Sequence, residues 1–192
     1  MQDGLEARVE KVEMEIRRMS DVVRTRRLSV VDEAGKVRAD LDASENGSQL
    51  TLFDEAGGIR AILAVTKDGP ELALFDEAGK ERAGITVSKS RSQLTLFDEA
   101  EKLRVGITVS KHGPGLTLLD EAGGIRAGLA VSESGPELGL YDEAGKARVG
   151  IIVSENGPGL GLFDEAGKER AGLAVSENGP GLGLYNEARR LI

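Results

Sequence analysis

Cysteine and tryptophan are absent from this 192-residue chain, and only 3% of it is aromatic. Without cysteine there are no disulfides, no thiolate zinc sites and no thiol nucleophile. With so few large rings a bulky globular core is not expected, and burial has to come from smaller side chains. The single histidine, His112, has no second histidine with which to build a conventional zinc cluster. It lies in KHGPG, a turn whose equivalents carry Asn, Asp or Ser at that place, and it reads as solvated. Positive charge is in deficit: the net charge is −8 and the pI about 4.9, which argues against nucleic acid or an anionic membrane as partner. No apolar run approaches the length of a membrane span, and the opening MQDGLEARVEK lacks the apolar stretch of an export signal. The expectation is a chain made in the cytoplasm, without membrane insertion.

What the chain has is a period. Aspartate recurs at Asp32, Asp54, Asp76, Asp98, Asp120, Asp142 and Asp164, every 22 residues, with Asn186 in the next place. Six residues after each aspartate stands an arginine, from Arg38 and Arg60 to Arg170. Residues 28–192 are thus one array of 22-residue repeats, the last truncated. Leu50 and Leu52, Leu63 and Val65, Leu160 and Leu162, and Leu173 and Val175 each flank a single residue, which is strand periodicity. Each repeat therefore predicts two short strands, with these residues in the core. Gly57 and Gly167 close the DEAG turn, and Gly69 and Gly179 close the second turn, where a positive φ costs glycine little. Pro70, Pro114 and Pro180 follow the second turn and suit the entry to a strand. The turn aspartates are expected to accept backbone donors and to pair with the arginines, Asp54 with Arg60 and Asp164 with Arg170.

The residues between the large apolar ones are small: Thr51, Ala73, Thr95, Thr117, Gly139, Gly161 and Gly183 in the first strand, and mostly Ala or Thr in the second. A solvated strand face usually carries Lys, Glu and Thr, whereas glycine there indicates that another backbone comes close. Both faces read as packed, with several chains sharing a core around one axis.

The first 27 residues carry a heptad seam, with Leu5, Val12 and Met19 at d and Val9, Ile16 and Val23 at a. Arg8 then falls at g and Glu13 at the following e, so Arg8 faces Glu13 of a neighbouring parallel helix. The stretch RVEKVE, Arg8 to Glu13, is similar to the Arg-apolar-x-x-apolar-Glu motif of parallel three-stranded coiled coils. The expectation for 1–27 is a parallel trimeric coiled coil, with a dimer as the rival.

A parallel coil running into short-strand repeats with periodic glycine turns resembles the shafts of trimeric fibres, the phage tail fibres and spikes built on triple-stranded β-helices or β-spirals. The resemblance implies an intertwined homotrimeric β-helix or β-prism shaft over 28–192, a mainly β repeat fibre held away from an anchoring particle or surface at its N-terminus.

Chemistry is weighed against that frame. Asp164 and Glu165 are adjacent, so in a strand or turn they point apart and do not share a substrate, and the same pair recurs in repeat after repeat. No catalytic, cofactor-binding or metal residue is assigned. A calcium β-roll requires a nine-residue glycine-aspartate pattern that is missing. Ice binding calls for a sustained threonine array, but the series ends in Gly139, Gly161 and Gly183. Both turn glycines fail close together, at Arg91 and Glu101, where faster hydrogen exchange over 88–104 and altered turns are expected. The leading expectation is a structural stalk or spacer in a phage-like or cell-surface appendage. The alternatives are an adhesin with receptor contacts on the shaft or at its end, and a monomeric β-solenoid.

Overall fold

The computed structural model describes residues 25–45, 47–188 and 190–191, together with Arg8, Val9, Lys11 and Met14. Every element among them is a strand. In chain order these are β1 (Arg27–Val31), β2 (Val37–Ser44), β3 (Gly47–Phe53), β4 (Ile59–Thr66), β5 (Gly69–Phe75), β6 (Glu81–Val87), β7 (Arg91–Phe97) and β8 (Leu103–Ser110). They continue as β9 (Gly113–Leu119), β10 (Ile125–Ser132), β11 (Gly135–Tyr141), β12 (Ala147–Ser154), β13 (Gly157–Phe163), β14 (Glu169–Ser176) and β15 (Gly179–Leu184). All fifteen form one antiparallel sheet in sequence order, and each strand packs only on its sequence neighbours. Repeats that touch only adjacent repeats are the mark of solenoid-like arrays.

Two kinds of connection alternate. At one end of the strands a two-residue loop, such as Glu155-Asn156, joins Ser154 to its partner Gly157. At the other end Phe163 pairs with Glu169 around the five residues of Asp164–Lys168, and the register then slips so that Leu162 faces Ala171. The residue left over is Arg170. The same shift leaves Arg38, Arg60 and Arg148 unpaired in their hairpins. Each repeat arginine is therefore the extra residue of a β-bulge, which breaks the alternation and increases local twist.

The register divides the strand side chains into two faces. One carries Leu50, Leu52, Leu63, Val65, Leu160, Leu162, Leu173 and Val175, the residues expected in a core. No second layer covers them among the described residues, and Leu63 and Leu173 are about half exposed, at 51% and 50%. The other face carries the small residues. Its middle column runs Asp40, Thr51, Ile62, Ala73, Gly84, Thr95, Gly106, Thr117 and then Gly128, Gly139, Gly150, Gly161, Gly172 and Gly183, each directly opposite the next. The buried residues Ala64, Thr51 and Thr95 all belong to this face.

Two expectations are corrected here. In an intertwined homotrimeric β-helix or β-prism the neighbours of a strand come from other chains, but every strand from β2 to β14 finds both hydrogen-bonding neighbours in its own chain. The turns are short enough to fold each strand directly onto the one before it, which makes local pairing the shortest route. Nor is an N-terminal parallel α-helical coiled coil an element among the described residues. Arg8, Val9, Lys11 and Met14 have helical backbone, and Val9, expected in the seam, is 50% exposed. Leu5, Val12, Glu13, Ile16, Met19 and Val23 lie outside the described residues. A segment this short has too little propensity to stand as a helical element by itself.

Candidate functional site

The densest polar chemistry lies along the edge formed by the DEAG turns. Asp164 is the hub of its turn. Its N–H donates to Lys168 O at 2.9 Å, and its Oδ1 accepts from the N–H of Ala166 and of Lys168, both at 2.9 Å. Its Oδ2 is 3.2 Å from Arg170 Nε. Asp54 repeats the arrangement, with Gly58 N–H donating to Oδ1 at 2.8 Å and Arg60 Nη2 2.7 Å from Oδ2. The bulge makes this possible, because an arginine outside the strand alternation is free to turn back onto the aspartate six residues earlier.

These hydrogen bonds hold the carboxylates of Asp54, Asp76, Asp98, Asp120, Asp142 and Asp164 below the usual range. The largest cause is the backbone N–H four residues on; partial burial opposes it, and the arginine adds to it. The arginines also reach forward. Arg82 Nε donates to Phe97 O at 3.2 Å and Arg104 Nε to Leu119 O at 3.0 Å, so each joins its own aspartate to the backbone of the next repeat. Lys80 and Lys146 add a second stitch, each donating from Nζ to the carbonyl of the following DEAG glutamate, Glu99 at 2.6 Å and Glu165 at 2.7 Å. Nη1 of Arg38 and of Arg170 is buried without an acceptor. Apart from those two nitrogens, the polar groups named along this edge are spent on each other and on the backbone.

At the opposite edge the serine takes the aspartate's place. Ser154 Oγ accepts from Asn156 N–H at 3.3 Å and donates to Gly157 O at 3.3 Å. His112 sits in such a turn, its N–H donating to Ser110 Oγ at 3.2 Å. Among the described residues no three His, Asp or Glu side chains converge as metal ligands would.

The small-residue face forms a groove of about 790 Å³ along β9 to β15. Its floor is the unbroken glycine column, and its wall near the DEAG edge is Tyr141, Phe163 and Tyr185. Each ring lies over the glycine two residues before it: a Cβ on Gly161 would fall 2.9 Å from the Phe163 ring. The aromatic therefore covers a strand position that has no side chain. Glu81 on the same face folds over Gly84, and its carboxyl is raised by partial burial and then by the neighbouring charges of Glu71 and Glu101. The glycine column was visible in the sequence as small residues; that they stand opposite one another follows from the register.

No family model matches the chain, and no curated protein does. Among solved structures, a mutant of S. aureus TarM in complex with fondaparinux, alpha-GlcNAc-glycerol and UDP is similar over 57% of this chain at 14% identity, with a TM-score of 0.33. A second TarM structure is similar over 56% at 15% identity, also with a TM-score of 0.33. The chain spans 20% of the length of each. A putative 6-phosphogluconolactonase from Bacteroides uniformis is similar over 84% of this chain and 81% of its own, at 10% identity and a TM-score of 0.20. At these scores neither fold nor function carries over.

Proposed function

We propose that the chain is a structural repeat protein, a solenoid-like β scaffold that sets a spacing and carries out no reaction of its own. The observation that supports this reading is the stitched DEAG edge. Its arginines and lysines reach forward from one DEAG turn to the backbone of the next repeat, and the same kind of stitch recurs along the array. Such an array suits a spacer between two attachments, because its breadth is a count of repeats.

Removing one repeat in frame, residues 120–141, tests it. Each repeat adds two strands at about 4.8 Å apiece, so small-angle scattering should record a sheet narrower by roughly 10 Å with its β circular dichroism intact. Loss of folding on removal of one repeat, or an unchanged dimension, overturns the reading. A recognition role along the sheet is the second reading, favoured by the groove walled by Tyr141, Phe163 and Tyr185. It predicts a ligand whose binding is lost when those rings are replaced by alanine.

A further inference from the structure

We infer that the face opposite the groove is a self-association surface, covered by the same face of a second copy of this chain. Three columns of side chains make up this face, and none of its described strand residues is charged. They are Leu, Ile, Val, Ala and Pro, with only Ser48 and Ser92 polar. Every charge on the strands lies on the groove face or at the turn edges. Down the middle column Leu41, Leu63, Ile85, Ile107, Leu129 and Leu173 are 43–51% exposed.

Area decides how much partner this surface needs. This face carries 23 exposed Leu, Ile and Val residues, and at on the order of 70 Å² each it presents roughly 1,500 Å² of apolar surface. The largest apolar patch on a soluble monomer is usually about 300–600 Å². Pairing two such faces buries roughly 3,000 Å², within the range of about 2,000–5,000 Å² for obligate homodimers. The whole chain agrees. Its accessible surface is 14626 Å², where a compact monomer of 20.3 kDa exposes about 8,800 Å². Even if the first 24 residues are allowed the exposure of an unfolded chain, an excess of more than about 2,500 Å² remains.

Shape points to a second copy as the occupant. In the column nearest the DEAG edge large and small residues alternate strand by strand: Leu52, Ala61, Leu74, Ala83, Leu96, Val105. An identical face shifted by one strand, about 4.8 Å, lays each Leu over an Ala or Val at the spacing of about 10 Å for packed sheets. The charges stay at the rim, where salt screens their repulsion.

The experiment is sedimentation equilibrium of the full chain with two matched variants. The wild type should run as a dimer at micromolar concentration and remain one in 1 M NaCl. Leu129→Glu with Ile151→Glu, both on this face, should weaken association by about 100-fold or more with β circular dichroism preserved. Thr108→Glu with Ala174→Glu, on the groove face, should leave the dimer intact. Because the chain has no cysteine, a nitroxide on Leu129→Cys gives a milder second readout and should be shielded from an aqueous nickel complex. A wild-type monomer at 50 μM, a nickel-accessible nitroxide, or dissociation by the groove-face pair alone overturns the inference. So does a monomer that sediments with phosphatidylcholine vesicles, which would make lipid the occupant. The repeat-deletion test is independent of these results, since a scaffold narrows by one repeat whether or not its face is paired.

Discussion

The two ends of the strands both turn on glycine, yet for different reasons, and the repeat that lacks both glycines separates them. At the DEAG edge Gly57 and Gly145 have φ of +88° and +74°, but a Cβ on either would meet nothing within 4 Å. Only the backbone conformation asks for glycine there. Glu101 accordingly takes the place at φ +59° with the turn unchanged: Asp98 N–H still donates to Lys102 O at 2.9 Å, and Asp98 Oδ1 still accepts from Ala100 and Lys102. At the serine edge Gly69 and Gly135 also have positive φ, but a Cβ would overlap the carbonyl of Val87 or Val153 on the strand beyond. Arg91 does not take that place in kind. It is not at positive φ, and the pairing of β6 with β7 stops at Val87–Ser92, with Ser88 N–H and Oγ both donating to Arg91 O. Gly179, on the edge strand β15, has nothing within 4 Å. Conformation alone is negotiable; a blocked Cβ is not.

The largest expected effect comes from exchanging alanine for glycine at the two ends. Gly135→Ala should cost about 2–3 kcal/mol, because strain adds to a collision with backbone, whereas Gly145→Ala should cost about 1 kcal/mol. Equal shifts in denaturant midpoint would erase the distinction. Next in size, Asp142→Ala should open its turn and lower the midpoint. The amides of Ala144 and Lys146, which donate to Asp142 Oδ1 at 2.9 Å, should exchange faster, while Ser154→Ala should disturb only Asn156.

Of the two turn edges, acid should then act on the DEAG edge. A carboxylate whose folded pKa is depressed contributes stability above its unfolded value, and that contribution is lost as pH falls through the folded value. The repeat aspartates fall in this class, so the midpoint should drop below about pH 4. Glu81, raised in the folded state, runs the other way: its contribution is present at low pH and is lost as pH rises through its folded value. Glu81→Gln should therefore raise the midpoint at neutral pH and leave it unchanged in acid. The smallest effect is Glu101→Gly, a gain of about 1 kcal/mol or less. Amide exchange over 88–104 no faster than at other turns would show that the Arg91 and Glu101 turns are as tight as the rest.

Much of this was legible in the sequence. The 22-residue period, the two strands per repeat and the placement of Gly57, Gly69, Gly167 and Gly179 at turns all depend on local preferences that side-chain spacing reveals. So did the reach of Asp54 to Arg60 and of Asp164 to Arg170. The bulge at each arginine was not, since a one-residue slip leaves no mark in composition. In the sequence Gly161 reads as room for another chain, whereas in the structure it faces Gly172 across adjacent strands of one chain.

By itself the sequence determined that residues 28–192 would be short strands between glycine turns, because alternation and turn chemistry act over a few residues. Only the tertiary structure decided whose strand lies beside whose, and hence that Leu50, Leu63 and Leu173 line one face of an open sheet in place of the core of an intertwined shaft. A hydrogen-bonding edge is the same whichever chain supplies it, so periodicity is blind to that choice. Turn length and register settle it, and both are properties of the chain folded upon itself.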